Sequence, residues 1–432
     1  MLPLGTRRRA GSPRLGMALG IRGLPPRGSA AARKFVLPKA GATEKVAPAL
    51  SSPQEPKPVP NLFDPLKVGP LTLPNRIAVS PMCQYSAADG SATDWHLQHL
   101  MQFAVARAGM VVVEATAVER SGRITHKCLG LYSDDNEAAL ARVIKAAKAI
   151  AAPGTCFAIQ LAHAGRKASV QPPFEGAQPL RPDQNPWITV APSAVPFTQG
   201  WHTPRALDAA GLESTIASFR AAAERSVRVG FDAIELHAAH GYLLHQFLSP
   251  LANQRADDYG GTLENRMRFP LQVAAAIRAV VPRSVALGAR ISGSDWADAG
   301  FGIADAVAFA RALKSQGYDF VCVSSGNVVA SKIPFAPGFQ VPLAEQVRAG
   351  AGLVTRAVGM IIAPAQAQEI ISTGKADMVA LARAFLDDPR WVWHAAERLG
   401  ASVSYPAQYA RVAPAVWPGA AIARAGAAAP AS

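Results

Sequence analysis

Phe231-Asp232-Ala233-Ile234-Glu235-Leu236-His237-Ala238-Ala239-His240-Gly241-Tyr242 decides how this chain is read. Its first half is a short apolar run of the kind a buried strand needs. Its second half sets two imidazoles three residues apart and a phenol two further on, where that strand ends. Imidazoles hold a carbonyl or an anion, and a phenol delivers a proton. A strand-terminal histidine is also an ordinary satisfied polar residue, so the stretch takes its meaning from what surrounds it.

Seven further runs resemble it: Ile77–Pro81, Met110–Thr116, Cys156–His163, Val285–Ser292, Asp319–Ser325, Thr355–Ile361 and Met378–Arg383. Ala-rich helical stretches separate them, among them Glu213 to Val229, closed by Gly230, and Ile303 to Ser315, closed near Gly317. Short apolar runs alternating with helices argue for parallel strands covered on both faces. Eight such units predict a single (β/α)8 TIM barrel. A doubly wound sheet is the alternative, disfavoured because no GxGxxG follows the first strand. Leu62 to Gly69 and Leu71 to Arg76 read as an N-terminal hairpin before the barrel. The Pro-rich residues 169–207 after the third strand read as a long lid loop, with Trp187 and Phe197 placed to cover a planar ligand, or else as a surface insertion.

The charge is uneven. Of the net +14 in 432 residues, +9 falls in residues 1–59, whose only acids are Glu44 and Glu55. Arg-rich, acid-poor sequence of this kind is expected to be an organelle transit peptide with a Pro-rich linker, for mitochondrion or plastid. The alternative is an over-extended start, with a cytoplasmic protein behind it. The expected domains are therefore the extension 1–59, the barrel 60–412 and an Ala/Pro-rich tail 413–432. The barrel is only mildly basic, and no basic stripe interleaved with aromatics is present, which argues against nucleic acid as a partner. No apolar run reaches 18 residues, so no membrane span is expected. The four cysteines (Cys83, Cys128, Cys156 and Cys322) lie far apart and show no CxxC pattern, so neither a metal cluster nor a disulfide framework is expected. His96 and His99 lack a third ligand and read as surface or core residues.

The polar groups of interest all fall at the C-terminal ends of the runs, where barrels of this type place their sites. Pro81-Met82-Cys83-Gln84-Tyr85 follows the first run and Glu114-Ala115-Thr116 ends the second. Gln160 to Lys167 ends the third, Arg290 sits in the fifth, and Ser325-Gly326, Gly359 and Ala382-Arg383 follow the last three. The last three together offer backbone N–H groups and one cation, a phosphate site. Gln160 carries donor and acceptor together and suits a pyrimidine-like edge. Arg290 is placed to stabilise negative charge developing on a ring. A phosphate site, an amide reader and a cation on one rim point to flavin mononucleotide, although many barrels bind other phosphorylated ligands.

Pro81 to Tyr85, Val113 to Val118, Gly122-Arg123-Ile124, Gln160 to Lys167, His237 to Tyr242, and the segment from His245 through Asp258-Tyr259-Gly260-Gly261 to Arg268-Phe269 together resemble the Old Yellow Enzyme family. The resemblance runs in order over about residues 62–412. Cys83 and the His–His pair place it with the thermophilic-like, cysteine-containing class. It implies non-covalent FMN reduced by NADPH, with hydride then passing from flavin N5 to the β-carbon of an activated alkene. His237 and His240 would bind the substrate's carbonyl or nitro oxygen, Tyr242 would protonate the α-carbon, and Tyr85 would add a hydrogen bond. Pro81, Cys83, Ala115, Gln160 and Arg290 would meet the isoalloxazine. Ser325, Gly326, Gly359, Ala382 and Arg383 would hold ribityl and phosphate groups. Ala382 stands where the family commonly has Gly. Arg411, in Tyr405 to Arg411, would reach a neighbouring subunit's substrate site in a homodimer or homotetramer, although the tail puts that insertion in doubt. No metal is implied.

Three rivals stay open at this stage. An iron–sulfur dienoyl reductase of the same lineage needs a cysteine cluster that the chain lacks. A non-redox phosphate-binding barrel needs a strand-end Lys or carboxylate base; Lys167 and Lys332 lie near the rim but outside any strand. A catalytically silent flavin-binding or ligand-sensing barrel differs only in turnover.

Overall fold

Eight parallel strands close into a barrel in the computed structural model, which describes residues 59–425. They are β1 (Ile77–Val79), β2 (Met110–Ala117), β3 (Cys156–Ala162), β4 (Ala233–Ala238), β5 (Ala286–Ser292), β6 (Phe320–Ser324), β7 (Val354–Val358) and β8 (Met378–Leu381). Each strand pairs with its neighbours in sequence order, and β8 pairs with β1 to close the ring. Every expected run overlaps one of these strands. The run after Thr355 stops early, because Gly359 (φ 108°) and Met360 (φ 49°) turn left-handed and leave the sheet.

The helices form the outer layer: α1 (Asp94–Ala104), α2 (Asp134–Ile150), α3 (Ala209–Val229), α4 (Leu263–Val280), α5 (Ile303–Ser315), α6 (Val341–Ala351), α7 (Pro364–Ser372) and α8 (Trp391–Arg398). Their starts and stops follow local chemistry. The Ser133, Asp208 and Thr262 side chains accept from the first-turn N–H groups of α2, α3 and α4, which have no intrahelical partner. Gly230 ends α3 in the left-handed conformation at φ 94°, as a C-terminal glycine does. Phe103, Phe157, Phe219, Phe247, Phe269, Phe309 and Trp393 fill the space between helices and sheet.

A second apolar cluster lies inside the barrel and includes Ala78, Met110, Val112, Ala158, Ala233, Ala286, Phe320, Cys322, Val358, Met378 and Ala380. The hairpin, Leu66–Val68 paired with Leu71–Leu73, adds Val68 and Leu73 to this cluster. Side chains alternate along a strand with period two. The residues two and four beyond Ala233 on β4 are therefore Glu235 and His237, on the same face. By the same count Gln160 follows Ala158 on β3, and Arg290 follows Ala286 and Gly288 on β5. Gly288 is required where it stands, because a Cβ there would lie 2.2 Å from the Phe320 ring.

The lid segment is built around a short strand pair, Val190–Ala191 with Arg205–Ala206. Trp187 is fastened to the protein wall: its indole N–H donates to Ser121 O at 2.8 Å, and its ring packs on His126 and Arg123. Phe197 lies over the Lys167 ammonium at 4.9 Å. Beyond the barrel, Ala420–Ala425 is helical, and Arg424 joins this segment to Glu397 of α8 at 2.8 Å.

Candidate active site

The hexapeptide after β4 is shaped by two left-handed residues, His240 (φ 57°) and Gly241 (φ 68°). Gly241 packs so closely against the loop after β6 that an added Cβ would lie 2.1 Å from Asn327 O. The turn folds Tyr242 back onto His237. The His237 ring centroid lies 5.1 Å from that of His240 and 5.0 Å from that of Tyr242, both edge to face. His237 Nδ1 accepts from Ala239 N at 3.2 Å, so the proton of the neutral ring sits on Nε2. His237 Nε2 is 3.4 Å from His240 Nδ1. With both rings neutral, that contact leaves the Nε2–H of His240 directed outward as a donor. At this length it is weak, so His237 Nε2–H is available to a better acceptor.

Both imidazoles are held neutral. Burial is the main reason, and the nearby Arg290 cation adds to it, so each pKa falls well below the ordinary histidine value. Arg290 is the register partner of His237 across β4 and β5. Burial also keeps the Tyr242 phenol and the Cys83 thiol protonated, with Glu114 adding to the effect at Cys83. The sign for stability follows. An unfolded histidine takes up a proton near pH 6.5 and these two do not, so their contribution is complete above that pH and is lost as pH falls below it. Unfolding free energy is expected to drop by up to about 1.4 kcal/mol per pH unit for each ring below pH 6.5. Urea titrations from pH 7.5 to 5.5 check this, with His237→Asn/His240→Asn showing the shallower slope.

Lys167 spans three segments. Its Nζ donates to His240 O at 2.9 Å and to Asn327 O at 3.0 Å, and lies 5.0 Å from the Tyr242 ring centroid. Burial, reinforced by the Arg166 cation, lowers its pKa to about 7.

A cavity of about 510 Å³ runs along the rim from His240 and Arg290, past Ser325, Asn327, Gly359 and Ala382, to Arg383. That is within the ordinary size of a small-molecule site, about 300–1,000 Å³. Its far end suits an anion. Arg383 is exposed and makes no ion pair among the described residues, and the first N–H groups of the short helix Arg383–Asp387 have no intrahelical partner. Ala382 lines the wall beside them. The absence of a side chain at Gly359 leaves room for Gln340, whose Nε2 would otherwise lie 2.2 Å from a Cβ. Gln340 accepts from Ser325 Oγ at 2.7 Å and donates to Val358 O at 3.0 Å. Sequence reasoning missed it, because a glutamine in a loop carries no periodic signal.

The structure changes one expected contact. The N–H of Gly326 donates to Ser294 O at 2.7 Å, so that donor is already occupied and Gly326 does not line the cavity. A second, small pocket joins Ala115, Cys128, Ala164 and Tyr242. A bulge at Glu114 realigns β2 so that Ala115 stands beside Gln160. Glu114 is itself buried, accepts from Gln84 N at 3.1 Å and lies 3.4 Å from His96 Nε2. It thereby supports the loop carrying Pro81, Cys83 and Tyr85. Tyr85 is left-handed (φ 48°) and meets the edge of Phe174 from the lid. Arg411 is exposed on a short turn and lines neither cavity.

A parallel barrel with an exposed cation and unpartnered helix N–H groups after β8, and neutral donors after β4, carries the groups that a phosphate-bearing planar cofactor would need. Residues 61–401 match the NADH:flavin oxidoreductase / NADH oxidase family. The chain belongs to that family, as its resemblance to the Old Yellow Enzymes implies, and is an FMN-dependent NAD(P)H oxidoreductase. It is 43% identical to an NADPH dehydrogenase of Geobacillus sp. (strain WCH70) over 352 residues, 81% of this chain and 98% of the relative. It is 40% identical to an NADPH dehydrogenase of Bacillus subtilis (strain 168), with the same coverage. Among solved structures, morphinone reductase in complex with tetrahydroNAD superposes with a TM-score of 0.65 at 30% identity, over 80% of this chain and 93% of that one. These relatives correct the expected organellar localisation. The NADPH dehydrogenases come from bacteria, which have no mitochondrion or plastid to import into, and residues 1–58, where the transit peptide was expected, lie outside the described residues.

Proposed function

We propose that the protein is an NADPH-driven ene-reductase acting on the C=C bond of α,β-unsaturated carbonyl or nitro compounds. The observation that carries this reading is the packing of two neutral imidazoles against a protonated phenol at the end of one barrel strand. FMN, when bound, supplies the hydride that it has taken from NADPH. Gln160 and Arg290 would hold the ring's polar edge, with Pro81, Cys83 and Ala115 beside it. Ser325, Gly359, Ala382 and Arg383, which line one cavity, would hold the ribityl and phosphate end.

The protein's own groups complete the chemistry. His240 Nε2–H and His237 Nε2–H donate to the substrate oxygen, draw electron density from the alkene and stabilise the enolate that forms. Neutral imidazoles suit this, because they donate hydrogen bonds without surrendering a proton. Tyr242 protonates the α-carbon, and Tyr85 adds a hydrogen bond to the substrate oxygen. Arg411 serves a neighbouring subunit in a homodimer or homotetramer.

Purified protein is expected to be yellow, to bleach on anaerobic addition of NADPH, and to recover its colour when an enone, enal, maleimide or nitroalkene is added. Bleaching with no recovery across such a panel would leave a flavin-binding barrel without ene-reductase activity. A colourless protein that takes up no FMN would overturn the whole reading.

A further inference from the structure

Two charges inside the barrel take no part in the chemistry above. Glu235 on β4 and Arg356 on β7 are both completely buried, each 0% exposed, and they form an ion pair across the barrel interior. The Arg356 guanidinium also lies 3.4 Å from Met110 Sδ and 5.4 Å from the Phe320 ring centroid. A buried ion pair contributes little stability compared with apolar residues of the same volume, because desolvation offsets the attraction. This pair therefore calls for a role other than stability, and its third contact supplies one.

Gln160 on β3 is the register partner of Glu235 and is only 2% exposed. Its Nε2 donates to Glu235 Oε1 at 2.7 Å. A glutamine amide has a donor end and an acceptor end and, left alone, presents either one. A carboxylate only accepts. Contact with Glu235 therefore turns the nitrogen of Gln160 inward and its oxygen away. Arg356 holds the carboxylate in place through the ion pair; burial works against the guanidinium, but Glu235 outweighs it and raises the Arg356 pKa.

We propose that Arg356 and Glu235 are positioning residues that lock the Gln160 amide with its oxygen towards the cofactor, so that the site demands the imide N–H of the flavin's pyrimidine edge. The proposal rests on Gln160 reading that edge. Glu235 and Arg356 touch neither FMN nor substrate; they act through Gln160 alone. The pair is absent from the rim because it belongs to the layer beneath, two residues before His237 on the same strand.

The probe is 3-methyl-FMN, which lacks the imide donor, added to the full-length holoenzyme to displace FMN, with released FMN read by fluorescence. Wild type is expected to prefer FMN by about tenfold, the worth of one buried hydrogen bond. Glu235→Leu/Arg356→Met and Glu235→Gln/Arg356→Met, which leave no lone charge, are expected to lose most of that preference and to bind FMN up to about tenfold more weakly. Paired variants that keep the wild-type preference, while Gln160→Leu loses it, would overturn the positioning role alone. A wild type with no preference, together with an unchanged FMN affinity in Gln160→Leu, would remove the reading of Gln160 itself. Neutron diffraction of deuterium-exchanged wild-type holoenzyme decides the amide orientation without any variant. Deuterons of Gln160 facing Glu235 support the proposal, and the reverse orientation overturns it.

Discussion

Tyr242→Phe is expected to slow alkene reduction by about 10²–10⁴-fold, the usual contribution of a positioned general acid, while reduction of the flavin by NADPH is nearly unchanged. The substitution removes one oxygen and keeps the ring. The edge-to-face contact with His237 and the Lys167 ammonium near the ring therefore both survive. What is lost is a proton held by burial on a phenol whose pKa is raised. A raised pKa makes the phenol a poor acid in water but suits it to a carbanion-like centre, which is far more basic than the phenolate left behind. Anaerobic stopped-flow separates the two half-reactions. Equal losses in both would show that Tyr242 shapes the cofactor site instead of delivering the proton.

Glu235→Ala is expected to destabilise the fold by about 3–5 kcal/mol, because it leaves the Arg356 guanidinium buried and unpaired. For a domain of this size that lowers the melting temperature by on the order of 10 °C. The Glu235→Leu/Arg356→Met pair is expected to recover most of the loss, since apolar residues of similar volume replace a buried ion pair at little net cost. Thermal unfolding followed by circular dichroism, with and without added FMN, checks both. A single variant as stable as wild type would mean that water or another group reaches Arg356. The two readouts for this cluster are separate: stability reports the unpaired charge, and preference for FMN over 3-methyl-FMN reports the amide orientation.

Much of the fold was legible because the signals are local. Short apolar runs separated by helical stretches set all eight strands to within a few residues, and the glycines after α3 and α5 marked where those helices stop. The rim followed from the strands. Once Ile234 and Leu236 are read as facing the helices, Glu235 and His237 must face the barrel interior, and the turn at His240 and Gly241 must lie at its mouth. Misreadings arose where local chemistry was read alone. Gly326 was expected to offer its N–H, but that N–H is bonded to Ser294 O.

Residue types and spacing by themselves determined the barrel and the strand ends on which the groups from Cys83 to Arg383 lie, because helix and strand periods depend only on near neighbours. Tertiary structure alone decided which groups meet. It placed Gln340 behind Gly359, set Lys167 between the lid and Tyr242, and joined Glu235 to Arg356, which are 121 residues apart. A lone acid and a lone base inside two apolar strands were visible in the sequence. That they face each other depends on barrel closure, which sets the layer each strand contributes and which no single strand encodes.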